Sequence, residues 1–512
     1  MCWLSLVRKE RLPGRRPYLA IWAAAVIHWA LVMQGIRLAH WANYFGLLAL
    51  SCYLGIYLPL FVALTRSAVH RWKLPLILAA PVAWTGIELG RGYGPLGFSM
   101  ALLGHSQVDR LTIIQIADVF GAYTVGFVIV FVAAGLTSIL PSESRRATFW
   151  PVLPVAVLIT VVVAYGKHRL AEPPPTGGIA AARIALIQGS IDTKFDATQA
   201  GPEEYLAQYD ALTEEARHHY APLDLVVWPE SMFPVADMLV DERAEPVYEP
   251  PWDAETIRHN VAAYEYLIRD RMHRLNQPRT GPHAPPRTTS WLLGTTTWQF
   301  GAHAPRRYNA AILVDPDAKI VARYYKMHPL MFGEFLPFGD VWPWLYRLSP
   351  LPNGLTPGPE PVAFELADLT IAPSICFEST MPHLIRRQVV ELTRRGMSPD
   401  VLVNLTNDGW FWGSSILDLH FACAVFRAVE LRRPFLVAAN TGFSASIDGN
   451  GRVLGKGPRR DTASLLAEVR ADGRGSLYEC VGDGPAALCT FSCLALALTH
   501  LLAAVRARFR RH

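Results

Sequence analysis

Charge is scarce in this chain. Asp, Glu, Lys and Arg make up 18% of its 512 residues, against roughly 25% in soluble proteins. They are thinnest in the first part and in the last stretch. Metal-ligand patterns are missing too: the seven cysteines form no CxxC pair and no Cys/His cluster with zinc spacing, which excludes a structural zinc module. No metal and no cofactor are expected. Nothing points to a disulfide framework. Cys2, Cys52, Cys489 and Cys493 lie in or near apolar segments, and only Cys376, Cys423 and Cys480 lie in the more polar middle. No basic stretch is interleaved with aromatics in the way a strand-binding groove requires, so the net charge of +5 does not indicate nucleic acid. The basic residues cluster instead at the ends of apolar runs. No internal repeat stands out.

What the chain has in abundance is apolar residues, 51% of the total. About 20 in a row can cross a bilayer. Six segments are expected to do so: about Tyr18 to Ile36, Tyr44 to Leu64, Leu74 to Leu89, Val119 to Leu140, Phe149 to Tyr165 and Pro485 to Val505. The first lacks a small-residue cleavage site and reads as a retained helix. Basic residues precede the first span (Arg8, Lys9, Arg11, Arg15, Arg16), separate the second from the third (Arg66, Arg71, Lys73) and the fourth from the fifth (Arg145, Arg146), and follow the last (Arg506, Arg508, Arg510, Arg511). Under the positive-inside rule these loops are cytoplasmic, and everything from about Lys167 to Gly484 lies on the outer face. Glu88 and Arg91, at one end of the third span, are expected to form an interfacial salt bridge. The stretch from Gly92 to Ile116 reads as an outer loop with a partly buried turn.

The run Glu172-Pro173-Pro174-Pro175-Thr176-Gly177-Gly178 marks a linker. The implied organisation is a membrane part at 1–170, a linker at 171–180, a catalytic domain at 181–480 and a closing span at 485–505. Within the catalytic domain, short apolar runs alternate with amphipathic stretches. Strands are expected at Ile184 to Gln188, Leu225 to Trp228, Trp291 to Gly294, Ala310 to Asp315, Asp317 to Lys326, Leu369 to Ile375, Val401 to Leu405 and Phe435 to Ala439. Helices are expected at Leu206 to Tyr220 and Leu419 to Leu431, with helix-like pieces around Ala254 to Asn276 and a hairpin turn at Asp448-Gly449-Asn450-Gly451. Strands separated by helices argue for an α/β sandwich, in which reactive groups gather at strand ends.

Three strand ends carry chemistry. Leu225 to Pro229 ends in Glu230, Ile320 to Tyr325 ends in Lys326, and Leu369 to Ile375 ends in Cys376. A thiol becomes a strong nucleophile only as the thiolate, so Cys376 needs a base. Glu230 supplies one, and an apolar pocket would raise its pKa toward neutrality. Lys326 can stabilise the oxyanion formed when sulfur attacks a carbonyl, and the peptide N–H of Phe377 is a second donor. Singly, each residue is ordinary; a lone strand cysteine is usually packing.

Glu230, Lys326 and Cys376 together resemble the Glu-Lys-Cys triad of the nitrilase, or carbon–nitrogen hydrolase, superfamily. The segments Trp228-Pro229-Glu230, Tyr324 to Gly339 and Ser374 to Ser379 carry the likeness. Joined to membrane spans, they resemble one branch, the apolipoprotein N-acyltransferases. The blocks Asn404 to Phe411, Arg427 to Glu430, Asn440 to Gly442, Trp84 to Arg91 and Gly104 to Gln107 are similar as well, and the resemblance runs from about Gly35 onward. It implies a nitrilase-like α-β-β-α sandwich beside a multi-span helical domain. It also implies a ping-pong reaction in a bacterial inner membrane, with the catalytic domain on the periplasmic face. A phospholipid gives its acyl chain to Cys376 as a thioester, and the amine of a diacylglyceryl-cysteine at a lipoprotein's amino terminus takes it. Glu334 would line the site, Glu378 would support the pocket, and Phe195 and Trp410 would contact substrate. The segments around Trp298 and from Met327 to Leu336 would act as lids. A monomer is expected.

Three features depart from that pattern. The branch has two further spans at its amino end. Phe195 and Phe377 stand where it has Trp and Tyr. His328 is followed by Pro329-Leu330-Met331 rather than Leu-Val-Pro. Two other readings share the triad: a membrane-tethered amidase or nitrilase with water as acceptor, and a non-catalytic membrane scaffold.

Overall fold

The structure is a computed structural model that describes residues 1–38, 40–94, 97–141, 149–175, 182–193, 201–241, 253–276, 289–339, 341–348, 354–366 and 368–509. Residues 176–180 of the expected linker fall outside these residues, as do Phe195, Arg145 and Arg146.

A helix lies at each of the six apolar segments: Pro17–Val32, the continuous run Asn43–Arg71, Leu76–Tyr93, Ala122–Ile139, Val152–Ala171 and Gly484–Phe509. Of these, Asn43–Arg71, Ala122–Ile139 and Val152–Ala171 are long and apolar enough to cross a membrane. The helices pack closely where residues are small. A Cβ on Gly86 would lie 2.7 Å from the backbone of Cys489, so Leu76–Tyr93 and Gly484–Phe509 touch nearly main chain to main chain.

Glu88 and Arg91 behave otherwise than expected. Both are buried, and no ion pair among the described residues joins them. Glu88 Oε1 accepts the Leu103 N–H at 2.8 Å. The Arg91 guanidinium lies 5.1 Å from the Trp29 ring centroid and 5.8 Å from that of Phe98. The stretch after them folds inward, burying Phe98, Met100, Leu102 and His105, so the expected partly buried turn is deep.

Among the described residues thirteen strands follow: β1 (Ala182–Gln188), β2 (Leu225–Trp228), β3 (Asp237–Val240), β4 (Ser290–Phe300), β5 (Arg306–Val314), β6 (Ile320–Tyr325), β7 (Phe364–Leu366), β8 (Leu369–Ile375), β9 (Val401–Thr406), β10 (Phe435–Ala439), β11 (Ala445–Ile447), β12 (Val453–Lys456) and β13 (Ala463–Val469). They form two sheets, ordered β13-β1-β2-β4-β5-β6 with β3 beside β4, and β12-β11-β10-β9-β8-β7. Each strand of the central runs β1-β2-β4 and β8-β9-β10 lies parallel to its neighbour. Such strands are apolar on both faces. One set of side chains (Ile184, Leu186, Val227, Ile371, Val403, Leu436) fills the space between the sheets. The other set of the first sheet (Ile187, Val226, Trp291) packs under the helices Pro202–Tyr220 and Ala254–Asn276. The second sheet is covered by Pro382–Arg394 and Ile416–Leu431, giving the four layers of an α-β-β-α sandwich.

The helix Ile416–Leu431 is buried on two sides. Ala424, Val425, Phe426 and Val429 share one core with the second sheet and with Ile114, Ala122, Tyr123, Val125 and Val162 of the apolar helical part. Charges reinforce this seam. Asp118 Oδ2 accepts from Arg432 Nε at 2.9 Å and from Arg169 Nε at 2.8 Å, and Glu430 Oε1 accepts the Ala122 N–H at 2.7 Å, capping Ala122–Ile139.

Candidate functional site

The carboxyl ends of β2, β6, β8 and β9 open on one side of the sandwich, the usual place for a site in parallel sheets. They carry Glu230, Lys326, Cys376 and Asn407. Lys326 is buried, and its ammonium Nζ donates to Glu230 Oε1 at 3.1 Å and Glu334 Oε1 at 2.8 Å. Burial pulls its pKa down, but Glu230, Glu334 and Cys376 more than offset this and the net direction is well up. It is a fixed ammonium.

Glu230 does not sit in the apolar pocket expected of it. Besides Lys326, its Oε1 accepts from Asn309 Nδ2 at 2.7 Å and its Oε2 from the Asn407 N–H at 2.9 Å. Glu334 accepts from Asn309 Nδ2 at 3.0 Å and from the Leu330 N–H at 2.6 Å. Asn309 thus holds both carboxylates while its own carbonyl receives the Lys326 N–H at 2.9 Å. Sequence reasoning passed over Asn309. Its signal was an amide at the head of the apolar run Ala310 to Val314.

Cys376 begins the short helix Cys376–Thr380 with φ of 53°. That left-handed backbone is costly for any residue but glycine and is stored mostly at functional sites. The thiol is pushed well up by burial first and by Glu230 second, while Lys326 pulls it down. The resting group is therefore a neutral thiol beside a base and a cation.

Glu378, wholly buried, braces the turn. Its Oε2 accepts the Ile375 N–H at 2.7 Å and the Tyr324 hydroxyl at 2.8 Å, and its Oε1 accepts the Met327 and His328 N–H groups at 2.7 and 3.1 Å. One carboxylate ties the residue before Cys376 to the two residues after Lys326. Phe377 is half-buried, with its ring 6.5 Å from that of His328. Trp410 lies half-buried in the turn Asp408–Phe411 beyond β9. Trp298 is not in a loop: it pairs with Met238 and Arg307 in the middle of the sheet, which rules it out as a lid. The blocks around Asn407 and Asn440 meet, with Asn440 Nδ2 donating to Asn407 Oδ1 at 2.9 Å. His420 was also passed over; its Nδ1 lies 3.0 Å from Asp408 Oδ1 and its Nε2 lies 3.2 Å from the Cys376 carbonyl oxygen.

Buried acid, ammonium and thiol on one floor can run nucleophilic acyl chemistry. Residues 1–135 match the apolipoprotein N-acyltransferase N-terminal domain, further toward the amino end than the motif resemblance reached, and residues 283–477 match the carbon-nitrogen hydrolase family. An amidase from Nesterenkonia sp. AN1, whose structure is solved, aligns over 57% of this chain and 94% of its own at 16% identity and a TM-score of 0.36. The apolipoprotein N-acyltransferase of Geobacter metallireducens is 31% identical, covering 90% of this chain and 81% of that relative. That of Rhodopirellula baltica is 31% identical, covering 91% of this chain and 86% of its own length, and on this likeness the chain belongs to the apolipoprotein N-acyltransferase family.

Proposed function

We propose that this acyltransferase moves an acyl chain from a phospholipid to Cys376, and from Cys376 to the amino-terminal amine of a diacylglyceryl-cysteine on a lipoprotein. Glu230 takes the thiol proton as sulfur attacks the ester carbonyl. Lys326 Nζ and the Phe377 N–H receive the oxyanion. The intermediate collapses, the carbon–oxygen bond to the glycerol breaks, and Glu230 returns the proton to the leaving alkoxide. The lipoprotein amine then attacks the thioester and gives its proton through Glu230 to the departing sulfur. The observation that carries this reading is the Lys326 ammonium held by Glu230 and Glu334 beside the strained turn at Cys376.

Two further features support a lipid donor. The segment after Lys326 exposes Phe332, Phe338, Val341, Trp342 and Trp344, an apolar patch suited to a bilayer. The helical part shares a core with the catalytic sandwich, so the site is tied to the membrane plane. The basic loops orient the sandwich to the periplasmic face of the inner membrane, and the chain works as a monomer. Phe195 and Trp410 remain proposed substrate contacts, and 1–170, 181–480 and 485–505 the proposed divisions.

Incubation with phospholipid followed by mass spectrometry should give an acyl adduct on Cys376, absent in Cys376→Ala. A labelled acyl chain should then pass to a diacylated lipopeptide. Release of free fatty acid with no transfer would favour the tethered amidase instead, and lipopeptide acylation that persisted in Cys376→Ala would overturn the mechanism.

A further inference from the structure

Three side-chain donors converge on one carbonyl. The Cys376 oxygen receives Ser379 Oγ at 3.1 Å, Asn404 Nδ2 at 3.2 Å and His420 Nε2 at 3.2 Å. Ser379 and His420 also touch each other, Oγ to Nε2 at 2.8 Å, and Asp408 holds the far side of the imidazole at 3.0 Å. The groups come from β9, from the turn after it, from the helix carrying Cys376 and from Ile416–Leu431. All are buried. A backbone carbonyl has two lone pairs, and one partner commonly satisfies it. Three donors on this one invite a reason.

Peptide planarity supplies it. The C=O of Cys376 and the N–H of Phe377 belong to one trans peptide and point in opposite directions. Fixing the oxygen against Ser379, Asn404 and His420 fixes the N–H on the opposite side. Phe377 lies in the first turn of its helix, where N–H groups have no acceptor within the helix, so that donor is free for a substrate. The imidazole completes the arrangement. With Nδ1–H given to Asp408, Nε2 can donate to the carbonyl only as imidazolium. Burial opposes that charge, Asp408 favours it, and the net direction for His420 is up.

We infer that Ser379, Asn404 and the Asp408–His420 pair are positioning residues that clamp the Cys376–Phe377 peptide so that the Phe377 N–H stands as the second oxyanion donor beside Lys326. The inference rests on Cys376 being the nucleophile of the reaction proposed above. The clamp also bears the left-handed turn at Cys376, because the same carbonyl lies on that residue.

Two reactions of the same sulfur separate this role from general support. Acylation by phospholipid passes through an oxyanion. Alkylation by iodoacetamide displaces iodide at a saturated carbon and needs none. Both are followed on the Cys376 peptide by mass spectrometry in the full chain. In His420→Ala and Ser379→Ala, acylation should slow on the order of 10²-fold, the scale of a lost oxyanion donor, while alkylation changes less than about threefold. His420→Gln, which keeps an N–H donor, should recover part of the acylation rate. Acylation and alkylation falling together, or acylation unchanged in both alanine variants, would overturn the clamp. Ser379→Ala removes a single hydroxyl and keeps the test decisive if His420→Ala does not fold. Failure of the underlying reading looks different: the native chain would then form no acyl adduct on Cys376 at all.

Discussion

Glu378 accepts from four donors and is wholly buried, and the two facts pull its proton in opposite directions. Burial pushes the carboxyl up from 4.5 to about 7, against the pull of the Ile375 N–H, Lys326 and Tyr324. A carboxyl whose folded pKa lies above its unfolded one holds its proton longer when folded. Its contribution to stability is therefore present below the unfolded value and is lost as pH rises through about 7. The whole effect is at most about 3 kcal/mol. Glu378→Gln lacks this titration. The unfolding free energy of the native chain minus that of the variant should decline between roughly pH 5 and pH 8, and a rise over that range would contradict the assignment. The variant should also lose acyl transfer, because its amide turns an N–H toward backbone donors. The proposed triad was legible because each member ends an apolar run in a strong polar group. Asn309 was not: inside a strand, only the sheet order β2-β4-β5-β6 reveals that one amide serves two carboxylates. His420 was hidden for a related reason. Its partner Asp408 is twelve residues away, across a helix start that sequence spacing does not resolve.

At the scale of elements, the acid is set by how closely two strands approach. β2 runs parallel beside β4, with Trp228 opposite Leu293. One residue further, a Cβ on Gly294 would fall 2.2 Å from the Pro229 carbonyl oxygen and 2.7 Å from the Glu230 Cα. Only glycine fits there. Gly294→Ala should push Glu230 away from Lys326 and lower acyl transfer on the order of 10²-fold, the cost of about an ångström of misplacement, while far-ultraviolet circular dichroism keeps the native sheet signal. Unchanged turnover in that variant would mean that the floor of the site can give way. The strands most visible in the sequence are those buried on both faces, such as β2, β8, β9 and β10, whose unbroken apolar runs need no alternation to be read. β13 was missed. Its partly exposed face breaks the run, and its partner β1 lies some 280 residues earlier, so the pairing Ala182 with Val469 is fixed only by the closed sandwich. β3 escaped notice as well, being short and at a sheet's margin.

For the whole molecule, the seam between helical part and sandwich is the decisive feature. Asp118 receives Arg432, Arg169 and the Tyr165 hydroxyl, the last at 2.7 Å. Asp118→Asn would leave the fully buried Arg432 guanidinium short of an anion, while Arg169 keeps Glu172. Breaking such a pair costs about 3–5 kcal/mol. The variant should unfold at a clearly lower temperature in detergent, with one transition for both parts, and a midpoint within a degree or so of the native one would show the network to be dispensable. Glu88 and Arg91 belong to the same scale. Their place at a span's end suggested an interfacial pair, yet each turns to a different partner because the stretch after Tyr93 folds back over them. The Pro/Gly run after Glu172 marks a change of composition, and a sequence reader naturally cuts there. Helix Ile416–Leu431 packs across that boundary. Its outer side is apolar because it meets membrane helices, and its inner side carries His420 to the Cys376 carbonyl. Severed from residues 1–170, the sandwich would present that side to water as a sticky, uncovered flank. The shared core, and not the Pro/Gly run alone, joins the sandwich to the helical part.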